Sequence, residues 1–231
     1  MKYLFFFLLL LQQTAALAQY YRVARWENGN KHIEVTGSGG NDSIYTEWSE
    51  GGGKRQAEGK YLYGKMTGAW QYWYEEGQKQ LVMYFDSLDV ASYKNEKIAG
   101  KLIKTVKYTQ AGEIEAVEQY IDGKKSCFST YYPNIKIKEF TIFDDNGRAL
   151  TATEWYENGA VRSLARYTDD YVKSSKNGKE TYTLTSPKVI YQQWFDTGQI
   201  EIDGHVNDKG KKIGAWRTYD RDGNKLKTDE F

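Results

Sequence analysis

The chain is short of the residues on which most enzymes and metal sites depend. Its 231 residues include one cysteine, two histidines, two prolines and three methionines. One cysteine cannot close an intramolecular disulfide or supply a cysteine-based metal cage, and two distant histidines leave little for imidazole chemistry. We therefore expect a protein that is not an enzyme, with no catalytic residues, no metal and no cofactor.

The chain also lacks an excess of positive or negative side chains. Lys and Arg number 32 against 31 Asp and Glu, so the formal net charge is +1. A chain without a basic surplus has no sequence-wide attraction to the phosphate backbone of a nucleic acid. We expect no nucleic-acid partner.

Long hydrophobic runs are absent apart from one at the N-terminus. Lys2 precedes nine apolar residues, 3–11, and Ala16-Leu17-Ala18 offers a small-x-small cleavage site. A membrane-spanning helix needs about twenty apolar residues, so this pattern predicts a cleavable secretory signal over residues 1–18. The mature protein is then exported, periplasmic or secreted, and has no integral membrane span.

Aromatic residues and glycines are abundant and recur at fixed spacing. Residues 68–81 and 214–226 both begin Gly-Ala-Trp, continue through an aromatic residue and an acidic turn, and reach a second glycine after nine residues. Shorter copies end at Gly29, Gly159 and Gly198. The turn positions 112, 123, 135, 147 and 159 follow at steps of 11 or 12 residues, with Ile135 in place of a glycine.

A twelve-residue unit has the length of one strand plus one turn. Asn-Gly, Asp-Gly and Glu-Gly between apolar runs indicate hairpins, and no sustained helical period is present. The pattern predicts an all-β fold over residues 19–231, an antiparallel β-hairpin repeat meander forming an elongated, curved, single-layer sheet. Two segments break the period: a longer loop at about 86–99 and a protruding hairpin at about 168–189, with residues 171–175 against 179–184.

These repeats carry a family resemblance. The Gly-Ala-Trp copies at 68–77 and 214–223, with Trp-Tyr-Glu-Asn-Gly at 155–159, resemble the MORN-like repeat variant of bacterial proteins labelled YwqK-family antitoxins. The resemblance covers most of residues 20–231 and implies a β-hairpin repeat sheet used for protein interaction or scaffolding. The signal peptide argues against a cytoplasmic antitoxin. The missing His-Gly-x-Gly segment of longer MORN repeats argues against phospholipid binding.

Both faces of the expected sheet carry aromatic rows. The fourth residue before the turn position is aromatic in seven units: Trp73, Tyr108, Tyr131, Phe143, Trp155, Trp194 and Tyr219. The third and seventh are often aromatic too, and they fall on the other face because strand residues alternate. Twist and long charged side chains offer one explanation, by covering both rows. The other is that one row is a recognition surface, with Trp73, Tyr131, Trp155, Trp194 and Tyr219 as partner-binding candidates.

The sequence therefore predicts a non-catalytic exported repeat protein that presents an extended aromatic and charged sheet to a protein partner. The alternative is a module that binds a cell-wall or other envelope polysaccharide. An antitoxin or immunity-type protein and a hydrolase are two further alternatives. The exposure of the two aromatic rows is the feature that separates a recognition surface from a covered one.

Overall fold

A computed structural model describes residues 20–37, 42–86, 100–168, 171–176, 179–184, 188–207 and 209–231. The expected signal peptide at 1–18 lies outside these ranges. So do all residues of the expected loop at 86–99 except Asp86.

Eighteen strands and no helix occur in these ranges. In chain order they are β1 (Tyr20–Arg25), β2 (Lys31–Gly37), β3 (Asp42–Trp48), β4 (Arg55–Leu62), β5 (Lys65–Trp73), β6 (Lys79–Phe85), β7 (Leu102–Tyr108), β8 (Ile114–Ile121), β9 (Lys124–Tyr131), β10 (Ile137–Phe143), β11 (Ala149–Trp155), β12 (Val161–Thr168), β13 (Tyr171–Lys176), β14 (Lys179–Leu184), β15 (Lys188–Trp194), β16 (Ile200–Val206), β17 (Lys212–Tyr219) and β18 (Lys225–Glu230).

Sixteen of the strands form one antiparallel sheet in which each strand pairs with its neighbours in sequence. The one exception to chain order is that β12 pairs with β15, because β13 and β14 form a two-stranded sheet of their own. Within the described ranges a strand contacts only its sheet neighbours, so no second layer covers either face. The predicted single-layer hairpin meander is confirmed. At about 4.8 Å per strand the sheet is about 70 Å long.

Nine turns of the described chain share one geometry, which produces the twelve-residue period. In the turn at 74–78, the amide of Tyr74 donates to the carbonyl of Gln78, and the amide of Gly77 donates to the carbonyl of Tyr74. Gly77 has a φ of 105°. A three-residue loop closed by a left-handed residue is a common hairpin connection, and glycine occupies the left-handed site without steric cost.

Ile135 takes the glycine position in the turn at 132–136 and has a φ of 65°. A left-handed backbone costs a side-chain-bearing residue about 1–2 kcal/mol, and a β-branched residue is rare there. Because Ile135 is 68% exposed, its side chain recovers little of this cost by packing. Ile135→Gly is expected to raise the free energy of unfolding by about 1 kcal/mol, measured by urea denaturation.

The matched control for this variant is Ile137→Gly. Ile137 begins β10, two residues later, and has no left-handed strain to relieve. The control is expected to lose stability, since glycine weakens a strand. A loss of stability in both variants would contradict the strain argument.

The register shifts by one residue just beyond most of these turns. Trp73 pairs with Lys79 while Tyr72 pairs with Leu81, which leaves Gln80 as a β-bulge on the outgoing strand. The bulge follows the turn, so the strand before it keeps regular alternation and a count back from the glycine still identifies the face. We call the side of the sheet toward which Trp73 points face 1, and the opposite side face 2.

Eight turns lie along one long edge of the sheet, which we call the turn edge: 26–30, 49–54, 74–78, 109–113, 132–136, 156–160, 195–199 and 220–224. They connect β1 to β2, β3 to β4 and so on in alternation. Strands with equivalent ends therefore recur at every second position of the sheet.

The most deeply buried side chain belongs to a packing unit that occurs twice. Trp70 on β5 is 1% exposed and lies flat over Gly59 on β4, where an added Cβ would stand 2.1 Å from the indole. Its Nε1 donates to the carbonyl of Lys60 at 3.0 Å, and its ring centroid lies 5.6 Å from that of Tyr45 on β3. We call Tyr45, Gly59 and Trp70 the first indole clasp.

The second indole clasp consists of Tyr191, Gly204 and Trp216 on β15, β16 and β17. Trp216 donates to the carbonyl of His205 at 2.9 Å, and its centroid lies 5.7 Å from that of Tyr191. A Cβ on Gly204 would stand 2.4 Å from the indole. In each clasp the tyrosine pairs in register with the glycine. On face 2, each clasp therefore holds three neighbouring strands together: β3 to β5 in the first and β15 to β17 in the second.

Candidate interaction surface

A row of aromatic side chains runs along the turn edge on face 1. Its members end the strands that lead into the turns, and we call them the aromatic row: Trp48, Trp73, Tyr108, Tyr131, Trp155, Trp194 and Tyr219. They stand on alternate strands of the sheet, apart from the excursion of β13 and β14, so neighbours are separated by about 10 Å. The row contains all five residues that the sequence proposed for partner binding.

Phe143 does not belong to the row, and its assignment to the same face was wrong. Its turn at 144–148 connects β10 to β11 at the opposite edge of the sheet. A meander advances in one direction, so hairpins at the two edges are related by a rotation about the long axis of the sheet. That rotation exchanges faces as well as edges. Phe143 therefore lies on face 2, and Phe140 on face 1 rather than with the other seventh-position aromatics.

Trp48 belongs to the row although counting from Gly53 missed it. The turn at 49–54 has one residue more than the others, and its hydrogen-bonded glycine is Gly52, whose amide donates to the carbonyl of Ser49. Counted from Gly52, Trp48 is the fourth residue back. The run Gly51-Gly52-Gly53 hid which glycine occupies the turn position.

The residues paired with the row change in character along the sheet. Arg25 and Lys31, Trp48 and Arg55, and Trp73 and Lys79 form a basic end over β1 to β6. Over β7 to β16 the partners are aliphatic, and we call this part the apolar stretch: Tyr108, Ile114, Tyr131, Ile137, Trp155, Val161, Trp194 and Ile200. Behind it on the same face lie Val106, Val117, Phe140 and Leu164. Eight consecutive strands of the sheet thus present no charged residue in this row.

The five proposed residues are half-buried, neither enclosed nor fully exposed. Trp73, Trp155 and Trp194 make no hydrogen bond through the indole nitrogen to a described residue, and those nitrogens are not enclosed. The indoles of Trp26, Trp70 and Trp216, in contrast, donate to backbone carbonyls. These three tryptophans of the aromatic row therefore offer hydrogen-bond donors and apolar area that the described chain does not use itself.

Two tyrosines of the row, Tyr108 and Tyr219, have phenol groups with a raised pKa. Burial, followed by Asp203, raises the pKa of Tyr219. Burial also raises the pKa of Tyr108, with Tyr84 contributing next. These hydroxyls act at neutral pH as donors and not as charged groups.

The aromatic residues of face 2 at the turn edge serve the chain's own structure. The hydroxyls of Tyr74, Tyr132 and Tyr156 donate to the carbonyls of Tyr108, Trp155 and Trp194, at distances of 2.8, 2.8 and 3.0 Å. Trp26 donates in the same way to the carbonyl of Trp48 at 3.1 Å. Each acceptor is the backbone of an aromatic-row residue, so these bonds join neighbouring hairpins and fix the backbone that carries the row.

Cationic side chains cover several of these face 2 rings. Lys138 lies 5.9 Å from the centroid of Tyr132, Arg162 lies 6.0 Å from that of Tyr156, and Arg221 lies 5.0 Å from that of Phe195. No such cation lies over Trp73, Trp155 or Trp194 within the described ranges. The two sets of aromatic residues that the sequence predicted thus have different contacts. Those on face 2 bond to backbone carbonyls or lie beneath cations of the chain, whereas Trp73, Trp155 and Trp194 on face 1 make neither contact with the described residues.

Sites for chemistry are sparse on the part of the chain that the structure describes. It contains no group of three His, Cys, Asp or Glu residues placed to hold a metal ion. Cys127 is half-buried, and His32 stacks on Trp26 with a centroid distance of 3.7 Å. An open groove of 790 Å³ lies between the first three turns, beside Trp26, Glu50 and Glu75. No helix of the described chain has the length and apolarity to cross a bilayer.

Comparisons with known proteins leave the family open. No protein-family model matches the chain, and no curated protein matches it significantly. Among solved structures, a chain in "Crystal Structure of TcdB2-TccC3-TEV" is similar over 86% of this chain at 8% identity, with a TM-score of 0.16. The match spans 15% of that chain's length. A likeness at this TM-score carries no argument.

Proposed function

We propose that this chain is a non-catalytic, exported binding protein whose aromatic row contacts another protein. The observation that carries the proposal is the apolar stretch of face 1, which a single-layer sheet leaves without a covering layer. Contiguous exposed apolar surface marks interaction sites, and Trp and Tyr supply a large share of the energy at protein interfaces. Export rests on the sequence pattern of residues 1–18. Scaffolding accords with the MORN-like resemblance of the repeats.

The rigidity of the row supports the same function. Inter-hairpin bonds from Tyr132 and Tyr156 hold the backbone of Trp155 and Trp194, so these side chains present area to a partner without first ordering the chain. A preorganised surface loses less conformational entropy on binding than a flexible one. Half-burial limits the rotamers further.

The proposal is tested with two double variants on the same strands. Trp155→Ala with Trp194→Ala removes two ring systems from face 1. Glu154→Ala with Gln193→Ala alters the preceding residues, which alternate to face 2. Partner binding is measured by quantitative co-purification of tagged protein from the source organism. We expect the face 1 variant to lose at least tenfold in affinity, because hot-spot truncations cost about 2 kcal/mol or more, and the control to keep its affinity. Equal affinities in both variants would overturn the proposal.

A polysaccharide is the second candidate ligand. It is favoured by one observation, that no cation of the described residues lies across the rings of Trp73, Trp155 and Trp194, so their faces are available to the flat face of a sugar. The same two double variants are therefore assayed on a glycan array. Glycan binding lost only in the face 1 variant, without a protein partner, would replace the protein-binding proposal.

A further inference from the structure

The basic end of the aromatic row has a composition unlike the rest of the row. Arg25, Lys31, Arg55 and Lys79 stand on β1, β2, β4 and β6, all at the turn edge on face 1. Trp48 and Trp73 stand between them on β3 and β5. Four cations and two aromatic rings are thus interspersed over about 24 Å, which is five strand spacings.

Trp48 is held between two of these cations. The ammonium of Lys31 lies 5.8 Å from the ring centroid, and the guanidinium of Arg55 lies 5.6 Å from it. Cations at this distance from an indole are attracted to the face of the ring. The strands on either side of β3 thus each place one cation beside the indole.

The indole nitrogen of Trp48 is enclosed and has no acceptor among the described residues. Most enclosed donors in proteins are hydrogen-bonded, and one without an acceptor is unfavourable. Trp70 and Trp216, which are more deeply buried, do have acceptors. Among the described indoles, only that of Trp48 has an enclosed nitrogen without a hydrogen-bond acceptor.

A cavity of 290 Å³ adjoins this indole, lined by Asn30, Lys31, Trp48, Gly52 and Gly53. Gly52 and Gly53 both have a φ of 79°, so two successive residues without side chains form one wall. A Cβ on Gly52 would stand 3.1 Å from the side chain of Asn30. The extra residue of this turn thus creates space beside Trp48.

Both cations keep donors to spare. Lys31 bonds to Glu34 at 2.9 Å and also to Tyr21, and Arg55 bonds to Glu58 at 2.6 Å. An ammonium has three N–H donors and a guanidinium five, so each retains donors after these contacts. Their side chains are 41% and 51% exposed. Because both are partly exposed, rotamer changes of these two side chains can open a path for an anion to the enclosed indole nitrogen.

We propose that Lys31, Trp48 and Arg55 form an oxyanion seat, which binds a carboxylate from an acidic segment of the protein partner. The inference rests on the proposed function and specifies the chemistry of one end of the partner. A carboxylate accepts the indole N–H and pairs with both cations through its two oxygens. A sugar ring is a poorer fit, since Lys31 and Arg55 occupy the ring faces on which it would stack.

The seat is tested through the indole resonances in ¹H–¹⁵N spectra of the mature protein. Trp48→Phe identifies the signal of Trp48 among the seven tryptophans. The protein is titrated with a hexaglutamate peptide, with inorganic phosphate and with an oligogalacturonate, each against sodium chloride of equal ionic strength. We expect the Trp48 signal to move saturably with the peptide, and to move less with phosphate.

Lys31→Met with Arg55→Met is expected to weaken peptide binding at least tenfold. The matched control is Lys107→Met with Arg162→Met, two face 2 cations that also pair with glutamates, at 2.9 Å to Glu115 and 3.8 Å to Glu154. The control is expected to keep full affinity. The proposal is overturned if the Trp48 indole signal does not shift with the peptide, or if it shifts equally in the two double variants.

Tighter binding of the oligogalacturonate than of the peptide would also overturn the inference. It would show that the site prefers a carboxylate of an acidic polysaccharide to one of a protein. Failure of the seat is distinguishable from failure of the proposed function, because Trp155 and Trp194 lie on β11 and β15, away from β2 to β4. Loss of the seat with unchanged dependence of partner binding on Trp155 and Trp194 overturns this inference alone.

Discussion

Trp70→Ala is expected to lower the free energy of unfolding by about 4 kcal/mol, within the range for truncating a buried tryptophan. The side chain is 1% exposed, packs over Gly59 and contributes one hydrogen bond to the carbonyl of Lys60. Its removal leaves a cavity over glycine, which has no side chain to move into it. Urea denaturation of the mature protein measures the loss.

The control for this variant lies three residues later on the same strand. Trp73→Ala also removes an indole, but Trp73 is half-buried on face 1 and its nitrogen bonds to no described residue. We expect it to cost less than half as much as Trp70→Ala. Equal costs would show that Trp70 is not the structural anchor of its unit.

The loss at Trp70 should also be local. A strand of this sheet contacts only its neighbours, and in such arrays stability is approximately a sum over adjacent units. Hydrogen exchange of Trp70→Ala is expected to show reduced protection in β3 to β6, with β15 to β17 unchanged. Trp216→Ala should give the reverse pattern.

Gly59→Ala is expected to cost about 3 kcal/mol, at the upper end for overpacking. The new Cβ would stand 2.1 Å from Cδ2 of Trp70, far inside contact distance, and the indole is tied to Lys60 and cannot withdraw without losing its hydrogen bond. Thermal or urea unfolding measures the effect. Gly51→Ala is the control, since nothing lies within 4 Å of a Cβ there, and we expect a change within about 0.5 kcal/mol.

A double-mutant cycle shows whether the two effects share one cause. With Trp70 already alanine, the Cβ at position 59 has space, so Gly59→Ala should cost little more. Additive costs in the double variant would contradict direct packing of the indole on the glycine.

The repeat period predicted the sheet because turn chemistry is local. Gly77 and its equivalents need a left-handed backbone, and the sequence shows this requirement at each turn except 49–54, where three successive glycines obscure it. The period also predicted that Ile135 is a turn residue, and its φ of 65° confirms this. Strand alternation then placed Trp73, Tyr131, Trp155, Trp194 and Tyr219 on one face.

What the sequence left undetermined depends on which edge a turn occupies and on contacts between strands. Phe143 has the same offset from its glycine as Trp155, yet lies on the other face because its hairpin closes at the other edge. The indole clasps were equally hidden, since Gly59 and Gly204 are not turn residues. Only the register that pairs Tyr45 with Gly59 and Tyr191 with Gly204 shows their role.

The two aromatic rows acquire different roles from the same repeat. Tyr132 and Tyr156 donate to the backbone of Trp155 and Trp194 across neighbouring hairpins, so face 2 supports the residues that face 1 displays. This arrangement explains why one repeat carries aromatic residues at positions that point to opposite faces of the sheet. It also explains why aromatic residues are plentiful although no second layer covers the sheet within the described ranges.

Site-specific photo-crosslinking in the source organism tests the central claim most directly. A photoreactive phenylalanine derivative is placed at 131, 155 or 194 on face 1, and at 130, 154 or 193, the adjacent positions on face 2. A discrete protein adduct from the face 1 positions, absent from their face 2 neighbours, is the predicted result. Adducts from the face 2 positions alone, or none from face 1, would contradict the account.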